Sequence, residues 1–381
     1  MNSGVMAQAP VDVAEHNEAG CARLAKWRQP GHYRATRSGE AMRLAWFAAL
    51  LLLPSLASAS GVDPALLDAA RKEGQVVWYT GLIVNQIVRP MAAAFEAKYP
   101  GITVQYSRAS DTETAVKILN EARAHRMQAD VFDATNAIFP LLDAKLVAPY
   151  RPAAAEHYPA VMKDPDGYWT ASNLYFLTFA ANTNLVKPDE MPRSFTDLLD
   201  PKWKGQMAWT SELAPQGPPG FIHNILVTMG DQTGTDYLHR FAAQQPVFVA
   251  ASPRAVLDQV IAGEYKLGVM MYNHHAAISA RQGAPIQWLR IEPLVGLQSM
   301  VGILKDAPHP NAARVLEEFI LSPDGQKVMA DNDYLPADPD VPARIAELKP
   351  EAGHFKVDLI PPQMVHDDLA QWRTIFHQVF Q

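Results

Sequence analysis

At 381 residues and 42.0 kDa the chain exceeds what one hydrophobic core sustains, about 250–300 residues, so it should divide into two lobes. A composition of 48% hydrophobic and 19% charged residues excludes a disordered or collagen-like chain. A net charge of −7 argues against a nucleic-acid partner held by phosphate neutralisation, and the single cysteine, Cys21, leaves everything after it without disulfides, thiol catalysis or Cys-zinc sites.

Near the start, Met42-Arg43 precedes the apolar run Leu44 to Leu53, which is followed by Ala57-Ser58-Ala59. A basic start, a short apolar stretch and an A-x-A exit describe a secretory signal peptide over 42–59, cleaved after Ala59. The run falls short of the ~20 apolar residues that span a bilayer. Residues 1–41 are polar and aperiodic, and read as a disordered extension or as lying upstream of a true start at Met42. With the six basic and four acidic side chains of residues 1–59 set aside, 27 basic and 36 acidic remain, a net charge of −9. The expected product is an exported, acidic, periplasmic protein with no later membrane span.

Beyond residue 60, helix and strand patterns alternate. Val62 to Lys72 has helical periodicity, and Gln75 to Tyr79 is a short buried strand closed by a Thr80-Gly81 turn. Ile87 to Tyr99 reads as a helix stopped by Pro100-Gly101, and Ile102 to Tyr106 as a strand. Ser110-Asp111-Thr112-Glu113 is an N-cap cluster that opens a helix continuing through Ala124. Asp130 to Ala134 is a third strand and Ile138 to Lys145 a third helix. Strict alternation of this kind points to a mostly parallel α/β sheet.

After Tyr168 the pattern changes. Tyr175 to Asn182 is a long apolar extended run, Ser194 to Leu199 a short helix, and Pro201 to Trp209 a loop leading into a strand. Gly220 to Met229 and Asp236 to Gln244 are helices, Val247 to Ala250 a strand, and Ser252-Pro253 starts a helix. Leu267 to Tyr272 is a buried strand ending in Asn273-His274-His275. Gly296 to Leu304 is a strand, and Asn311 to Leu321, Pro323 to Asp331 and Gln363 to Phe380 are helices. Chain crossings near Tyr175–Asn182 and Val295–Val301 would make lobe 1 from 60–178 and 298–340, lobe 2 from 179–297, and a hinge between them. Residues 341–381 could join either lobe. A cleft between α/β lobes, outside the strand C-termini, is where a ligand would sit.

Several segments resemble a known family. GQVVWYTG, FEAKYPGITVQY, ADVFDATN, FTDLLDPKWKGQMAW, LGVMMYNHH and HPNAARVLEEFILSPDGQKVMA are similar to periplasmic solute-binding proteins of ABC importers, in the ferric-iron-binding-like branch of extracellular solute-binding family 1. The likeness covers most of residues 62–340, with DPKWKG and SPDGQK its more specific pieces. It implies a type II periplasmic-binding fold of two α/β lobes joined by a hinge, no catalysis, no cofactor, and a monomer that delivers a small-molecule solute to an inner-membrane ABC permease. In ferric members two adjacent tyrosines follow an Asn at the end of this strand, and the tyrosines bind the metal. Here His274 and His275 stand at those positions, after Tyr272-Asn273, and the loop Thr80-Gly81-Leu82-Ile83 lacks the histidine those members carry. Fe(III) favours oxygen donors, so the departure speaks against direct ferric binding.

The candidate ligand-binding residues are Thr80, Gly81, Ser110, Thr112, Thr135, Asn136, Ser211, Ser252, Arg254, Tyr272, Asn273, His274 and His275. Backbone N–H groups at helix starts bind phosphate or carboxylate, and Arg108 and Arg254 could add bidentate donors. These groups suit a small organic or phosphorus-containing anion, although Asp111 would repel one unless it points away. The alternative is a ferric ion or ferric chelate, with Tyr272, His274 and His275 as ligands. Vicinal histidines on an extended strand end point to opposite faces, so at most one of the two should face the cleft unless the chain turns sharply. Trp203 and Trp209 read as packing residues rather than sugar-stacking ones. There is no G-x-S-x-G, H-E-x-x-H, P-loop or G-x-G-x-x-G, so an exported hydrolase is the least favoured reading.

Overall fold

The computed structural model describes residues 62–381. The expected leader over 42–59 and the segment 1–41 lie outside the described residues.

The first α/β unit follows the sequence pattern. Helix α1 (Pro64–Glu73) is capped by Asp63, and β1 (Gln75–Thr80) lies parallel to both β2 (Thr103–Arg108) and β3 (Val131–Ala134). Between them come α2 (Arg89–Lys98), preceded by a π-helical turn at Val84–Val88, and α3 (Asp111–Arg123). Then follow α4 (Ile138–Asp143) and the short β4 (Val147–Ala148). Ser110 caps α3 in a reciprocal capping box with Glu113, as the S-x-x-E spacing requires.

Strand β5 (Thr170–Asn182) begins five residues before the expected apolar run. The next elements are β6 (Met207–Thr210), α5 (Pro218–Met229), α6 (Asp231–Ala242), β7 (Val247–Val249), α7 (Pro253–Ala262) and β8 (Leu267–Tyr272). Parallel pairing of β6 with β7 and β8 builds the second α/β unit. After α8 (Asn273–Arg281), β9 (Ile286–Leu289) adds to β5, and β10 (Leu294–Leu304) pairs antiparallel with β5 and β3. The chain closes with α9 (Pro310–Leu321), α10 (Pro323–Asp331), β11 (Leu335–Pro336), α11 (Pro350–Gly353), β12 (Val357–Leu359) and α12 (Pro362–Phe380).

The main strand path is β2-β1-β3-β10-β5-β8-β6-β7. Its two long central strands are shared between the units. One end of β10 pairs with β3 and the other with β12, while β5 meets β11 at one end and β8 and β9 at the other. Burial on every residue of β10 and nearly every residue of β5 explains why both read as continuous apolar runs rather than alternating ones.

One buried cluster gathers Trp78, Phe95, Tyr99 and Phe319 between β1, α2 and α9. Another holds Phe179, Trp209, Phe221, Phe241 and Trp372. The indole of Trp209 is fully buried, edge-on to Phe221 at 5.3 Å and to Phe380 at 5.8 Å, so it packs the interior as expected. Trp203 is likewise buried. Helix α12 lies against α5 and α6, with Trp372 on His223 at 4.7 Å, and its His366 stacks on Phe139 of α4 at 4.9 Å. Among the described residues no helix is long and apolar enough to cross a membrane.

Candidate functional site

A cavity of about 440 Å³ opens between the two α/β units. One side consists of the Gly81–Ile83 turn after β1, Arg108 to Asp111 between β2 and α3, and Asp133 to Thr135 at the end of β3. Opposite lie Glu212 and Gln216 after β6, Ser252 to Arg254 at the start of α7, and Tyr272 and His275. Tyr175 of β5, Ser299 of β10 and Tyr334 complete it. The lining comes from strand C-termini and helix N-termini, where side chains and backbone dipoles of a parallel sheet converge.

Of the sequence candidates, Gly81, Ser110, Thr135, Ser252, Arg254, Tyr272 and His275 line this cavity. Six do not. Thr80 is buried at the end of β1, where its hydroxyl accepts from Leu82 N–H at 3.0 Å. Thr112 faces away on α3, Asn136 borders a neighbouring cavity, and Ser211 donates its N–H to Val249 O at 2.8 Å as the chain leaves β6. Asn273 is fully buried and donates its side-chain amide to Leu348 O at 2.9 Å. His274 is fully buried behind the wall, with Tyr175 stacked at 6.0 Å and Tyr334 at 5.6 Å between ring centroids.

Two expectations about geometry are corrected. Asn273, His274 and His275 are not on extended backbone, because the ladder between β8 and β5 ends at Tyr272 and the first turn of α8 begins there. Helical neighbours lie about 100° apart around the axis, not 180°, so the two imidazoles stand together with centroids 4.3 Å apart. Ahead of this turn Met270 adopts φ 56° and the register against β5 slips between Thr178 and Ala180, a local irregularity two residues before Tyr272.

The second correction concerns the backbone donors of Thr135 and Asn136. They are not open to an incoming oxyanion, because Asp111 Oδ2 accepts both, at 3.0 and 2.9 Å. The carboxylate does not point away. It sits in the cavity wall, and a Cβ placed on Gly81 would stand 3.5 Å from its Oδ1.

Four carboxyls line the cavity; Glu113 is held low by its hydrogen bonds from Ser110, and the other three are raised. Burial pushes Asp111 up, against the two N–H groups that favour its charged form. Asp133 is pushed up to about 7, first by burial and further by the charge of Asp111, and its Oδ2 has no hydrogen-bond partner among the described residues. Glu212 is raised as well, by burial and then by Asp111, against a hydrogen bond from Gln216. On the basic side, Arg108 donates Nε to Gly81 O at 3.3 Å and forms no ion pair among the described residues. Arg254 is partly committed, to Ser279 Oγ at 3.0 Å and Asp258 at 2.7 Å.

Aromatic groups form the floor. Tyr175 and Tyr272 lie 5.1 Å apart between centroids, and Tyr272 meets His275 edge-on at 5.1 Å. Tyr334 donates no proton to its partner but accepts from Ile83 N–H at 3.2 Å, and burial pushes its phenol up to about 12. Burial lowers His274 to about 3 and holds His275 well below the usual imidazole range, so both are neutral donor–acceptor groups. Neither ring nitrogen of His275 has a partner among the described residues, and Gln216 Oε1 is also unmet.

Sequence reasoning missed Asp133, Tyr175, Glu212, Gln216, Ser299 and Tyr334 as lining residues. Asp133 has a signal: it is an acidic residue inside an otherwise apolar strand. Glu212 follows the C-terminal end of β6, which also marks it. Tyr334 enters from a distant segment, and no local pattern foretells it.

Residues 127–354, more than half of the chain, match the family model described as bacterial extracellular solute-binding protein. The chain is similar to a Fe(3+)-binding periplasmic protein of Serratia marcescens, at 23% identity over 292 residues covering 74% of this chain and 82% of that one. Among solved structures, it superposes on iron-bound HitA from Pseudomonas aeruginosa with a TM-score of 0.66 at 20% identity, covering 81% of this chain and 99% of that one. It also matches AfuA from Actinobacillus pleuropneumoniae, crystallised with fructose-6-phosphate, with a TM-score of 0.67 at 22% identity over 81% of this chain and 98% of the other. These likenesses place the fold among the two-lobed periplasmic binding proteins.

Proposed function

The chain belongs to the bacterial extracellular solute-binding proteins, and from that premise we propose that it is the periplasmic binding component of an ABC importer for a small polyhydroxylated organic anion, a sugar phosphate or hydroxy acid. It binds this solute and hands it unchanged to an inner-membrane permease. The observation that carries the reading is the mixed character of the cleft. Asp133 Oδ2, Gln216 Oε1 and a neutral His275 present unmet hydrogen-bonding capacity, while Arg108 faces the same space without an ion pair. Acceptors of this kind suit hydroxyl donors, and a free guanidinium suits an oxyanion. A purely anionic solute would face Asp111, Asp133 and Glu212 with nothing to offer them. The fructose-6-phosphate bound by AfuA has this dual chemistry.

In this reading β5 and β10 form the hinge, with lobe 1 built from 60–178 and 298–340 and lobe 2 from 179–297. Packing of α12 on α5 and α6 supports joining 341–381 to lobe 2. The solute contacts both sides and so favours the closed state over the open one. Thermal shifts with hexose phosphates, hydroxycarboxylates, inorganic phosphate and ferric salts test it, since stabilisation follows ligand concentration over dissociation constant. Hexose phosphates or hydroxycarboxylates should raise the midpoint. If ferric salts alone do so, the anion reading fails.

The second reading is ferric iron as cargo. It rests on the phenols of Tyr175, Tyr272 and Tyr334 beside the carboxyls, a set of hard oxygen donors, and on the names of the iron-binding relatives. Against it, no three cleft His, Asp or Glu donors lie within 4.8 Å of one another among the described residues. A visible phenolate-to-iron band on titration with ferric salt would decide for it.

A further inference from the structure

Away from the cleft, His157 follows the 3-10 turn Ala153–Ala155, and Asp338 and Asp340 follow β11. The Asp338 carboxylate is fully buried. Its Oδ1 lies 3.0 Å from His157 Nε2 and accepts Asp340 N–H at 2.9 Å, yet its Oδ2 has no partner among the described residues. Asp340 Oδ2 stands 3.9 Å from the same imidazole nitrogen. One donor atom from each of the three side chains falls within 4.8 Å of the others.

A buried carboxylate with an unmet oxygen is costly unless a positive charge completes it. Lys349, whose charge acts on Asp338, does not supply it. Burial lowers its amine, which the charges of Glu351 and Asp338 oppose, and it donates to Pro336 O at 3.3 Å rather than to Asp338. We propose that His157, Asp338 and Asp340 form a binding site for a divalent transition-metal ion, Zn²⁺ foremost. One imidazole and two carboxylates are a zinc-type donor set, with a water completing four-coordination. Ligands about 2.0–2.1 Å from a tetrahedral ion stand roughly 3.3 Å apart, close to the spacing seen between His157 and Asp338. Binding replaces any proton on His157 Nε2 with the metal.

The surroundings are arranged to hold the central ligand. Asp338 N–H donates to Gln326 Oε1 at 3.1 Å, and Gln326 Nε2 reaches Ser172 O at 2.8 Å and Ile320 O at 2.9 Å. The ion would pin the 337–341 turn to the turn at His157. It would therefore steady the segment that, four residues earlier, brings Tyr334 into the cleft.

The test is calorimetric titration of chelator-treated full-length protein with ZnCl2, with CaCl2 and MgCl2 as comparators, alongside melting curves. His157 and Asp340 are 40% and 85% exposed, so His157→Ala and Asp340→Ala should leave the fold intact, which their metal-free melting curves check. The expected result is one Zn²⁺ per chain, weakened by roughly tenfold or more in each variant. A zinc-induced rise in melting temperature should disappear with it. His275→Ala, in the cleft, should bind Zn²⁺ as the unaltered chain does. The proposal is overturned if zinc binding is absent, if it persists undiminished in His157→Ala, or if it is lost in His275→Ala instead. Calcium bound as tightly as zinc would overturn the transition-metal assignment.

Discussion

Replacing Asp133 by Asn should stabilise the ligand-free protein above neutral pH while abolishing its grip on the solute. Asp133 is 2% exposed, and burial beside the Asp111 charge moves its carboxyl from 3.8 to about 7. The native state then holds a proton that the unfolded chain has released anywhere between these values. Stability from this group is therefore present at low pH, falls as pH rises from about 4 to 7, and stays lost above that. Each pH unit is worth ~1.4 kcal/mol, so the charged form costs up to ~4 kcal/mol at pH 8. Asn keeps the shape and never ionises. Urea unfolding of the two proteins, from pH 4 to pH 8, should show near-equality at pH 4 and a widening advantage for Asp133→Asn of a few kcal/mol by pH 8. Taking the difference cancels the buried histidines, whose lowered values act in the opposite sense in both proteins. A difference that does not change with pH, or an Asn variant no more stable at pH 8, would refute the reasoning. Saturation with a stabilising solute should narrow the gap, because its hydroxyl donor would then meet Asp133 Oδ2.

Three further outcomes follow from the same geometry. Arg108→Gln should weaken binding of a phosphorylated or carboxylated solute by about 1.5–3 kcal/mol, as a charged hydrogen bond would, and Arg254→Gln by less, since Ser279 and Asp258 already occupy it; calorimetry that ranks them the other way would reassign the anion contact. Binding should show no transition near pH 6.5 attributable to His275, because burial keeps it neutral well below that; a transition that disappears in His275→Ala would contradict this. Trp209→Ala should cost about 3–5 kcal/mol in urea unfolding, because a fully buried indole leaves a cavity among Phe221, Phe248 and Phe380; a loss under 1 kcal/mol would mean that the surrounding rings collapse into the space.

Much of the fold is legible locally. The ends of β8 and α10 fall where the apolar run and the Pro-to-Asp stretch put them, and the box at Ser110 and Glu113 is written in four consecutive residues. These features depend on backbone preferences and side chains a few positions apart, which a sequence displays directly. The cleft is different. That Tyr272 precedes a helical turn, and not two more strand residues, depends on where the neighbouring strand stops pairing. That Asp111 fills the donors of Thr135 and Asn136 depends on the start of α3 meeting the end of β3, 24 residues on in sequence.

The amino-acid order alone was therefore enough for a chain of alternating helix and strand, with its packing tryptophans and the caps of its helices. Only tertiary structure decided which polar groups share the cavity and in what protonation state. Burial and mutual proximity, not residue type, make Asp133 a carboxyl at about 7 and His275 a neutral imidazole. Both depend on segments that the chain brings together only after it has folded.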